Sequence, residues 1–585
     1  MKLELQKGSR SKILAGLILA IMAVFIGRLF YLQIIQHDYY VDLAKGEQVK
    51  RLTIPSKRGL IYALDGSTPV PLVMNQTVYT VFADPQTTTD SGKIVDVIRR
   101  IAGGNARASL QELLDRKDSR YQILATKVTR NQADKIKSEN LKGVGFQEES
   151  QRVYPEGSLA SQTLGFVDFE GTGRYGIESN FNDRLTGKDG LLQSVTDVSD
   201  VPLTIGNDNI NRPAVNGENI ILSIDRNVQS KVEQILADRA KLLGATNVSA
   251  IVMDPQTGKI MAMANLPTYN PAEFNKVEDG AAFNNGVVSN PYEPASVMKT
   301  FIMAAGIEKG AITPDSTYIN TDHIQIDDKV ISNASLGQTG EITFQHALNW
   351  SLNTGSVTVV KRLGDGSEIT KGARDIVYDY FYNKFKLGQV TGVEVDGETP
   401  GMIISPDDPD GNAVRYSNMS FGQGLSVTMV QVAAAFSAIV NGGNYYKPTV
   451  IAGTLDKNGD FTASQPVPVS SPISKSTADQ VRKMAYVARH AFNPNIDKAL
   501  GYYVGGKTGT AEVITDGVYS KNGPNESETV ASYLGYGGSE ELSRYVIMVK
   551  VAGPQRGFQG SRDAGPVFTD ISDWMLDYLK IQPKG

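Results

Sequence analysis

The sequence of 585 residues contains no cysteine, only four histidines and only two tryptophans. Without cysteine the chain cannot form a disulfide, use a thiol nucleophile or build a Cys-ligated zinc or iron–sulfur site. No two histidines stand at metal-ligand spacing, so neither a His-based metal centre nor a Ser-His-Asp triad is indicated. The net charge of −5 leaves no basic surplus to neutralise phosphates, which argues against a nucleic-acid partner.

Long apolar runs are also scarce, and the one that stands out lies near the amino terminus, from residue 13 to residue 35. As a helix it would be about 35 Å long, enough to cross a bilayer core. Lys2, Lys7, Arg10 and Lys12 precede it, so the positive-inside bias predicts a cytoplasmic amino terminus and an extracytoplasmic remainder. A cleaved signal peptide or a buried core helix are the alternatives, but no small-residue cleavage site follows the run. We expect an uncleaved single-pass anchor in the cytoplasmic membrane.

The rest of the chain is too long for one core and divides by pattern. A mixed segment of short β-type runs and polar helices extends from residue 36 to 215, and its stretch from Asn207 to Pro213 reads as a loop or linker. Beyond it, Asp225 is a candidate N-cap for a helix that ends before Gly244. Strand pairs near both ends of this later segment, with helices between them, predict an α+β domain. The predicted divisions are a cytoplasmic tail (1–12), the anchor (13–35), a non-catalytic segment (36–215) and a catalytic domain (216–585).

Three short motifs in the later segment carry the chemistry. Ser296 and Lys299 have the spacing S-x-x-K, Ser351 and Asn353 the spacing S-x-N, and residues 507–510 read K-T-G-T. Each motif alone is common. Together, separated by 55 and then 156 residues, they match the order that serine acyl-transfer sites of the penicillin-binding class require.

The first motif pairs a hydroxyl with an amine. Pro294 before it and an apolar run after it place Ser296 in the first turn of a helix, so Lys299 shares its face. A lysine becomes a base for serine when it is desolvated or lies near another cation, and Lys507 is a candidate for that cation. The helix N-terminus would favour a developing oxyanion.

The second and third motifs supply polar partners. Ser351 offers a hydroxyl that relays a proton, and Asn353 an amide that both donates and accepts. Residues 501–508 also satisfy the phosphate-loop pattern G-x-x-x-x-G-K-[ST], but a phosphate loop must open a helix. The β-branched residues that follow, and the turn signal at Asp516 and Gly517, predict a strand instead.

With these motifs the sequence resembles the class B penicillin-binding proteins, the monofunctional D,D-transpeptidases of bacterial cell-wall synthesis. The nucleophile motif matches with Ala295 where glycine is usual, and the stretch from Phe421 to Gln431 has the form typical of division-type members. Further matching stretches are 58–61, 152–157, 164–167, 171–178 and 222–225. The resemblance implies a penicillin-binding, serine β-lactamase-like domain, an antiparallel sheet flanked by helices, on an elongated mixed pedestal. It also implies that no nucleotide or metal cofactor is needed.

The resemblance further implies a role for each matching residue. Ser296 would be acylated by the penultimate D-Ala carbonyl of a stem peptide, with Lys299 as base. Ser351 would pass a proton to the leaving amine and Asn353 would hold the peptide amide. Lys507, Thr508 and Thr510 would bind the terminal carboxylate, with Gly509 as a further substrate-binding residue. The backbone N–H groups of Ser296 and Thr510 would form the oxyanion hole. The expected partners are stem peptides, covalently bound β-lactams, and a SEDS-type glycan polymerase with other division proteins docked on the anchor and pedestal.

Other functions share these motifs. A D,D-carboxypeptidase or β-lactamase would hydrolyse the acyl-enzyme, although the sequence shows no convincing Glu-containing deacylation motif between Ser351 and Lys507. A catalytically silent β-lactam-binding scaffold and an elongation-type transpeptidase are the remaining alternatives.

Overall fold

The computed structural model describes residues 9–40, 49–195, 210–455, 459–492, 496, 501–512, 514–515, 518–519, 521–522, 526–553 and 557–583. The chain forms two compact units. One comprises Met1–Arg58 with Thr186–Gly217, and the other comprises Gly59–Leu185 with Glu218–Gly585. The predicted boundaries at residues 36 and 216 stay predictions.

The smaller unit begins with the apolar helix that the sequence predicted. The helix Ser9–Phe30 continues through a π-helical turn, Tyr31–Ile35, and in the described part of the chain it alone is long and apolar enough to cross a membrane. A three-stranded antiparallel sheet completes the unit, with strands Val49–Ile54, Gly190–Val195 and Ile210–Arg212.

That last strand corrects one prediction. Residues 210–212 form strand hydrogen bonds with Leu191–Gln193 rather than a loop, because pairing with a distant strand outweighs the weak β preference of asparagine. Residues 207–209 of the predicted linker lie outside the described residues, as do Asp516 and Gly517 of the predicted turn.

The larger unit contains a seven-stranded mixed sheet and a five-stranded antiparallel sheet. The seven-stranded sheet is formed by Ile61–Asp65, Thr68–Ala83, Gln122–Thr129, Val144–Val153, Ile220–Asp225, Ile451–Leu455 and Phe461–Ala463. Helices Ser91–Ala102, Leu110–Asp115 and Arg130–Ser138 cover part of it. Arg152 anchors the amino-terminal part of the unit from within, since its guanidinium pairs with the buried Glu178 carboxylate at 2.7 Å.

The five-stranded sheet unites distant parts of the chain. Its strands, in spatial order, are Ile260–Leu266, Asn247–Met253, Ser543–Ala552, Thr529–Gly538 and Tyr503–Glu512. Both faces are apolar because helices cover both sides. Helices Arg226–Leu243 and Gly565–Tyr578 pack on one face, and helices Lys299–Glu308 and Met429–Val440 pack on the other. Each buried Val, Ile or Leu side chain at these faces contributes about 1.5–3 kcal/mol to folding.

Along the chain, most of the remaining described elements lie between the strands Ile260–Leu266 and Tyr503–Glu512 of this sheet. Two antiparallel strand pairs join Thr317–Asn320 with Gly340–Thr343 and, in the segment between them, the hairpin strands His323–Ile326 and Lys329–Ser332. The helices and turns of this part are Pro271–Lys276, Gly280–Phe283, Gly286–Ser289, Ala295–Met298, Phe344–Asn349, Asn353–Arg362, Lys371–Tyr378, Asp379–Lys384, Ala413–Ser420, Lys475–His490 and Gly560–Ala564. Smaller elements elsewhere are Gly103–Asn105, Ser161–Leu164, Phe166–Val167, Gly173–Arg174, Gly176–Asn180, Asn182–Thr186, Tyr445–Tyr446, Pro468–Ser470, Ile514–Thr515, Val518–Tyr519, Lys521–Asn522 and Glu526–Ser527.

The α+β prediction is confirmed, and so are its local signals. The Asp225 carboxylate accepts hydrogen bonds from the N–H groups of Asn227 and Val228 at the start of the Arg226–Leu243 helix, and Gly244 ends that helix in the left-handed region, with φ of 64°. Residues 507–510 lie within the Tyr503–Glu512 strand, as predicted, and not at the start of a helix.

Candidate active site

The predicted nucleophile lies at a strained turn. Ala295 has φ of 53°, a left-handed conformation that costs a residue with a Cβ about 1–2 kcal/mol. Its N–H donates to the Gly422 carbonyl oxygen at 3.0 Å, which helps to hold this conformation. Ala295–Met298 then form a 3₁₀ turn that leads into the Lys299–Glu308 helix. Ser296 is half-buried in this turn.

Lys299 is fully buried and points at the second motif. Its Nζ lies 2.6 Å from the Ser351 carbonyl oxygen, 2.8 Å from Asn353 Oδ1 and 3.3 Å from Ser351 Oγ. Within the described residues, no hydrogen bond joins Lys299 Nζ to Ser296 Oγ. The spacing of the first motif therefore places both groups in consecutive turns, while the amine is oriented by residues 52 and 54 positions later in the chain.

The second motif is a sharp connection between two helices. Phe344–Asn349 ends just before Ser351, which has φ of 57°, and the next helix begins at Asn353. The left-handed backbone at Ser351 allows both its carbonyl oxygen and its hydroxyl to face the lysines. The amide nitrogen of Asn353 donates to the Ser332 carbonyl oxygen at 2.9 Å, so its Oδ1 faces Lys299.

Lys507 approaches the same hydroxyl from the edge strand of the five-stranded sheet. Its Nζ donates to Ser351 Oγ at 2.8 Å and lies 3.3 Å from Thr508 Oγ1. The side chain is only 4 % exposed. Burial lowers the pKa of Lys507 to about 7.

The two lysines differ in their electrostatic environment. Burial lowers the pKa of Lys299 well below its ordinary value, and the neighbouring Lys507 charge lowers it further. Burial therefore favours the neutral form of both amines, and the Lys507 charge favours it additionally at Lys299.

Gly509 brings the edge strand against the nucleophile turn. A methyl group at this position would lie 2.6 Å from the Pro294 carbonyl oxygen and closer still to Ser532 Oγ. Thr510 follows, and its hydroxyl accepts a hydrogen bond of 3.0 Å from the Gly560 N–H. A residue without a side chain at 509 is what lets the strand approach Ser296.

A cavity of about 760 Å³ opens beside Lys507 and Thr508. Trp350, Arg489 and Tyr533 contribute to its wall, and Arg489 donates to Tyr533 Oη at 2.6 Å. No sequence pattern marks these residues, because a single cation or aromatic residue in an amphipathic helix or a strand is ordinary. In the described part of the chain, no three potential metal ligands cluster.

Comparison with known proteins assigns the chain to a family. Residues 248–573 match the penicillin binding protein transpeptidase domain and residues 53–222 match the penicillin-binding protein dimerisation domain. The chain belongs to the penicillin-binding protein transpeptidase family.

Individual relatives agree with this assignment. Stage V sporulation protein D of Bacillus subtilis is 29 % identical, over 98 % of this chain and 87 % of the relative. The peptidoglycan D,D-transpeptidase FtsI of Escherichia coli K12 is 27 % identical, over 98 % of this chain and 92 % of the relative. The solved structure of penicillin binding protein 3 from Mycobacterium tuberculosis, complexed with aztreonam, superposes with a TM-score of 0.67 at 25 % identity, over 91 % of this chain and 98 % of that chain.

These findings confirm the predicted class B family, its fold class and its transpeptidase activity. The apolar amino-terminal helix and the FtsI-like relatives also indicate a membrane-anchored protein. The structure brings all three motifs of the predicted site together around the Ser351 hydroxyl. The catalytic roles of the individual residues stay predictions.

Proposed function

We propose that Ser296 carries the acyl group in a peptidoglycan D,D-transpeptidase reaction. Ser296 Oγ attacks the penultimate D-Ala carbonyl of a stem peptide, a tetrahedral intermediate forms, and the C–N bond to the terminal D-Ala breaks. The amine of a second stem peptide then attacks the ester, which forms the cross-link and releases Ser296. β-Lactams bind covalently because they acylate the same hydroxyl.

The observation that carries this proposal is the Ser351 hydroxyl held between two buried amines. Lys507 Nζ lies 2.8 Å from it and Lys299 Nζ lies 3.3 Å from it. A neutral amine has two N–H groups and one lone pair. The Ser351 carbonyl and Asn353 Oδ1 engage the two N–H groups of Lys299, so the lone pair is left to accept the Ser296 proton.

The proton then needs a path to the leaving amine. Ser351 Oγ contacts both lysines, so it is suited to receive a proton from one side and donate one toward the scissile nitrogen. Asn353 would hold the peptide amide of the donor. In this proposal Ser351 is the proton relay and Lys299 the base.

Lys507 and its neighbours would bind the terminal carboxylate. A carboxylate beside Lys507 favours the charged ammonium, and the Thr508 and Thr510 hydroxyls are additional donors on the same strand. The oxyanion would be stabilised by the backbone N–H groups of Ser296 and Thr510, since Gly509 lets the edge strand lie close to the nucleophile turn.

A donor–acceptor assay tests the reaction. The purified protein is supplied with a D-Ala-D-Ala stem peptide donor and an amine acceptor, and products are separated by mass. Release of D-Ala with cross-linked product is expected. Release of D-Ala with only the shortened, hydrolysed donor would support the carboxypeptidase alternative, and no release at all would support a silent scaffold.

We also propose that the active site lies outside the cytoplasm and that the protein acts in septal cell-wall synthesis. The basic residues before the apolar helix and the division-type form of residues 421–431 support it. We expect a SEDS-type glycan polymerase to dock on the anchor and pedestal. Reporter fusions after Tyr40 test the orientation, and a cytoplasmic reporter signal would contradict it. Co-purification of the polymerase with the full chain, but not with a chain whose anchor is replaced by an unrelated one, tests the partner.

A further inference from the structure

The helix that carries Asn353 begins without a cap of its own. Leu352 occupies the N-cap position and has no side chain that accepts a hydrogen bond. The first N–H groups of a helix need acceptors from elsewhere. Here the Thr354 N–H donates to Asn333 Oδ1 at 3.0 Å. The cap is therefore supplied by the chain that leaves the hairpin His323–Ser332.

Asn333 is itself held in a buried polar network. The Thr354 hydroxyl donates to Asn320 Oδ1 at 2.7 Å and lies 3.0 Å from Asn333 Oδ1. The side-chain amides of Asn320 and Asn333 each donate to Asp322 Oδ1 at 3.2 Å, and the Gly337 N–H donates to Asp322 Oδ2 at 2.6 Å. All four side chains of the network are at most 6 % exposed. A buried network whose donors and acceptors are paired fixes its members in one geometry.

Ser332, which precedes Asn333, orients the side chain of Asn353, which precedes Thr354. The Ser332 carbonyl oxygen accepts a hydrogen bond of 2.9 Å from the side-chain Nδ2 of Asn353. This contact turns Asn353 Oδ1 toward Lys299 Nζ, at 2.8 Å. The opposite orientation of the amide would direct its NH₂ group at the amine. The Asn353 NH₂ group and the Ser296 hydroxyl would then compete as donors for the lone pair of Lys299. The amine would also lose Asn353 Oδ1, an acceptor that orients it.

We propose that the pair Ser332–Asn333, held by Asp322 and Asn320, is a positioning device that sets the amide orientation of Asn353 and thereby the direction of the Lys299 amine. This inference rests on the proposed roles of Lys299 and Asn353. Within the described residues, the side chains of the network form no hydrogen bond to Ser296, Lys299 or Lys507. Because the network acts through the orientation of Asn353 and Lys299, its main effect is on the rate of acylation, with a smaller effect on the affinity for the ligand through Asn353.

Substitutions at Thr354 test this directly, because they leave the backbone cap in place. Thr354→Val removes the hydroxyl but keeps the shape of the side chain, whereas Thr354→Ser keeps the hydroxyl. Thr358→Val is the matched control, since Thr358 lies one turn later on the same helix and its hydroxyl, among the described residues, donates to the Thr354 carbonyl alone. Asn333→Ala removes the cap itself.

The measurement is the acylation rate constant and the dissociation constant for a chromogenic cephalosporin, with active sites counted by penicillin labelling and melting temperatures recorded. We expect Thr354→Val and Asn333→Ala to lower the acylation rate constant about 10- to 100-fold with little change in dissociation constant. Thr354→Ser and Thr358→Val should stay within about twofold of wild type. If Thr354→Val acylates as fast as Thr358→Val, with only its melting temperature lowered, the network is structural and the inference is overturned.

Two further variants separate this inference from the proposed function. Wild type must be acylated on Ser296, and Asn353→Ala and Lys299→Arg must lose acylation. If they do not, the proposed roles themselves fail and the inference fails with them. If they do, a normal rate in Thr354→Val contradicts the positioning role alone.

Discussion

Lys507 donates a hydrogen bond of 2.8 Å to the hydroxyl of Ser351, a residue 156 positions earlier in the chain. The contact joins the edge strand of the five-stranded sheet to the connection between two helices. Lys299 reaches the same hydroxyl at 3.3 Å from a third element. Three motifs that are weak signals separately thus become one constellation in which two amines of different pKa share one hydroxyl.

Arginine substitutions should separate the roles of the two lysines. Lys299→Arg keeps a cation but removes the base, so acylation at saturating β-lactam should fall about 100- to 10,000-fold. Lys507→Arg keeps the charge for the carboxylate, so it should retain part of the rate and mainly weaken apparent affinity. Stopped-flow acylation of both purified variants decides this. Equal loss in both, or survival of Lys299→Arg, would contradict the division of roles.

The pH dependence of acylation should reflect the same two groups. The active form needs a neutral Lys299, whose pKa is lowered by burial and by the Lys507 charge, and a charged Lys507, whose pKa burial lowers to about 7. The second-order acylation rate should therefore fall at acid pH as Lys299 gains a proton, and fall above about pH 7 as Lys507 loses one. In Lys507→Arg the alkaline limb should disappear, since arginine stays charged. An unchanged alkaline limb in that variant would assign it to another group.

Gly509→Ala should separate the edge strand from the nucleophile turn. The new methyl group would meet the Pro294 backbone and Ser532, and a displacement of about 1 Å at such a site lowers the rate about 100-fold. Gly104→Ala is the control, because nothing lies within 4 Å of its added methyl. Acylation kinetics and melting temperature are measured for both. A Gly509→Ala variant that is destabilised but acylates at the wild-type rate would contradict the close approach as the functional constraint.

Because of Lys550, the free energy of unfolding should change with pH in the alkaline range. It is 5 % exposed on the Ser543–Ala552 strand, and its Nζ lies 5.1 Å from the centre of the Tyr292 ring. Burial lowers the pKa of Lys550 to about 8 from an ordinary 10.5. Between these values the unfolded chain binds more protons than the folded one, so the free energy of unfolding rises with pH.

In Lys550→Met this rise should be smaller than in wild type by about 3 kcal/mol across that window. Denaturant unfolding at several pH values measures it, with the exposed Lys142→Met as control. If the difference between wild type and Lys550→Met does not change with pH, folding does not lower the pKa of Lys550.

The sequence predicted those parts of the fold that depend on neighbours in the chain. The N-cap at Asp225, the C-cap at Gly244 and the strand at residues 507–510 follow from local patterns, and the structure has all three. The motif spacing also placed Ser296 and Lys299 in consecutive turns. Such signals are local because capping and side-chain alternation act over a few residues.

The contacts that the sequence did not reveal are non-local. Nothing in the pattern around Asn333 links it to Thr354, and nothing around Lys550 marks it as buried, because both depend on pairing between distant segments. The strand Ile210–Arg212 was missed for the same reason. The left-handed backbone at Ser351 was also unforeseen, since serine has no preference for it.

Intact-protein mass spectrometry after exposure to a labelled penicillin addresses the nucleophile itself. Wild type should gain the mass of one penicilloyl group, and peptide mapping should place it on Ser296. Ser296→Ala, with its fold checked by melting temperature, should gain none. A stoichiometric adduct that persists in Ser296→Ala would show that another residue is acylated.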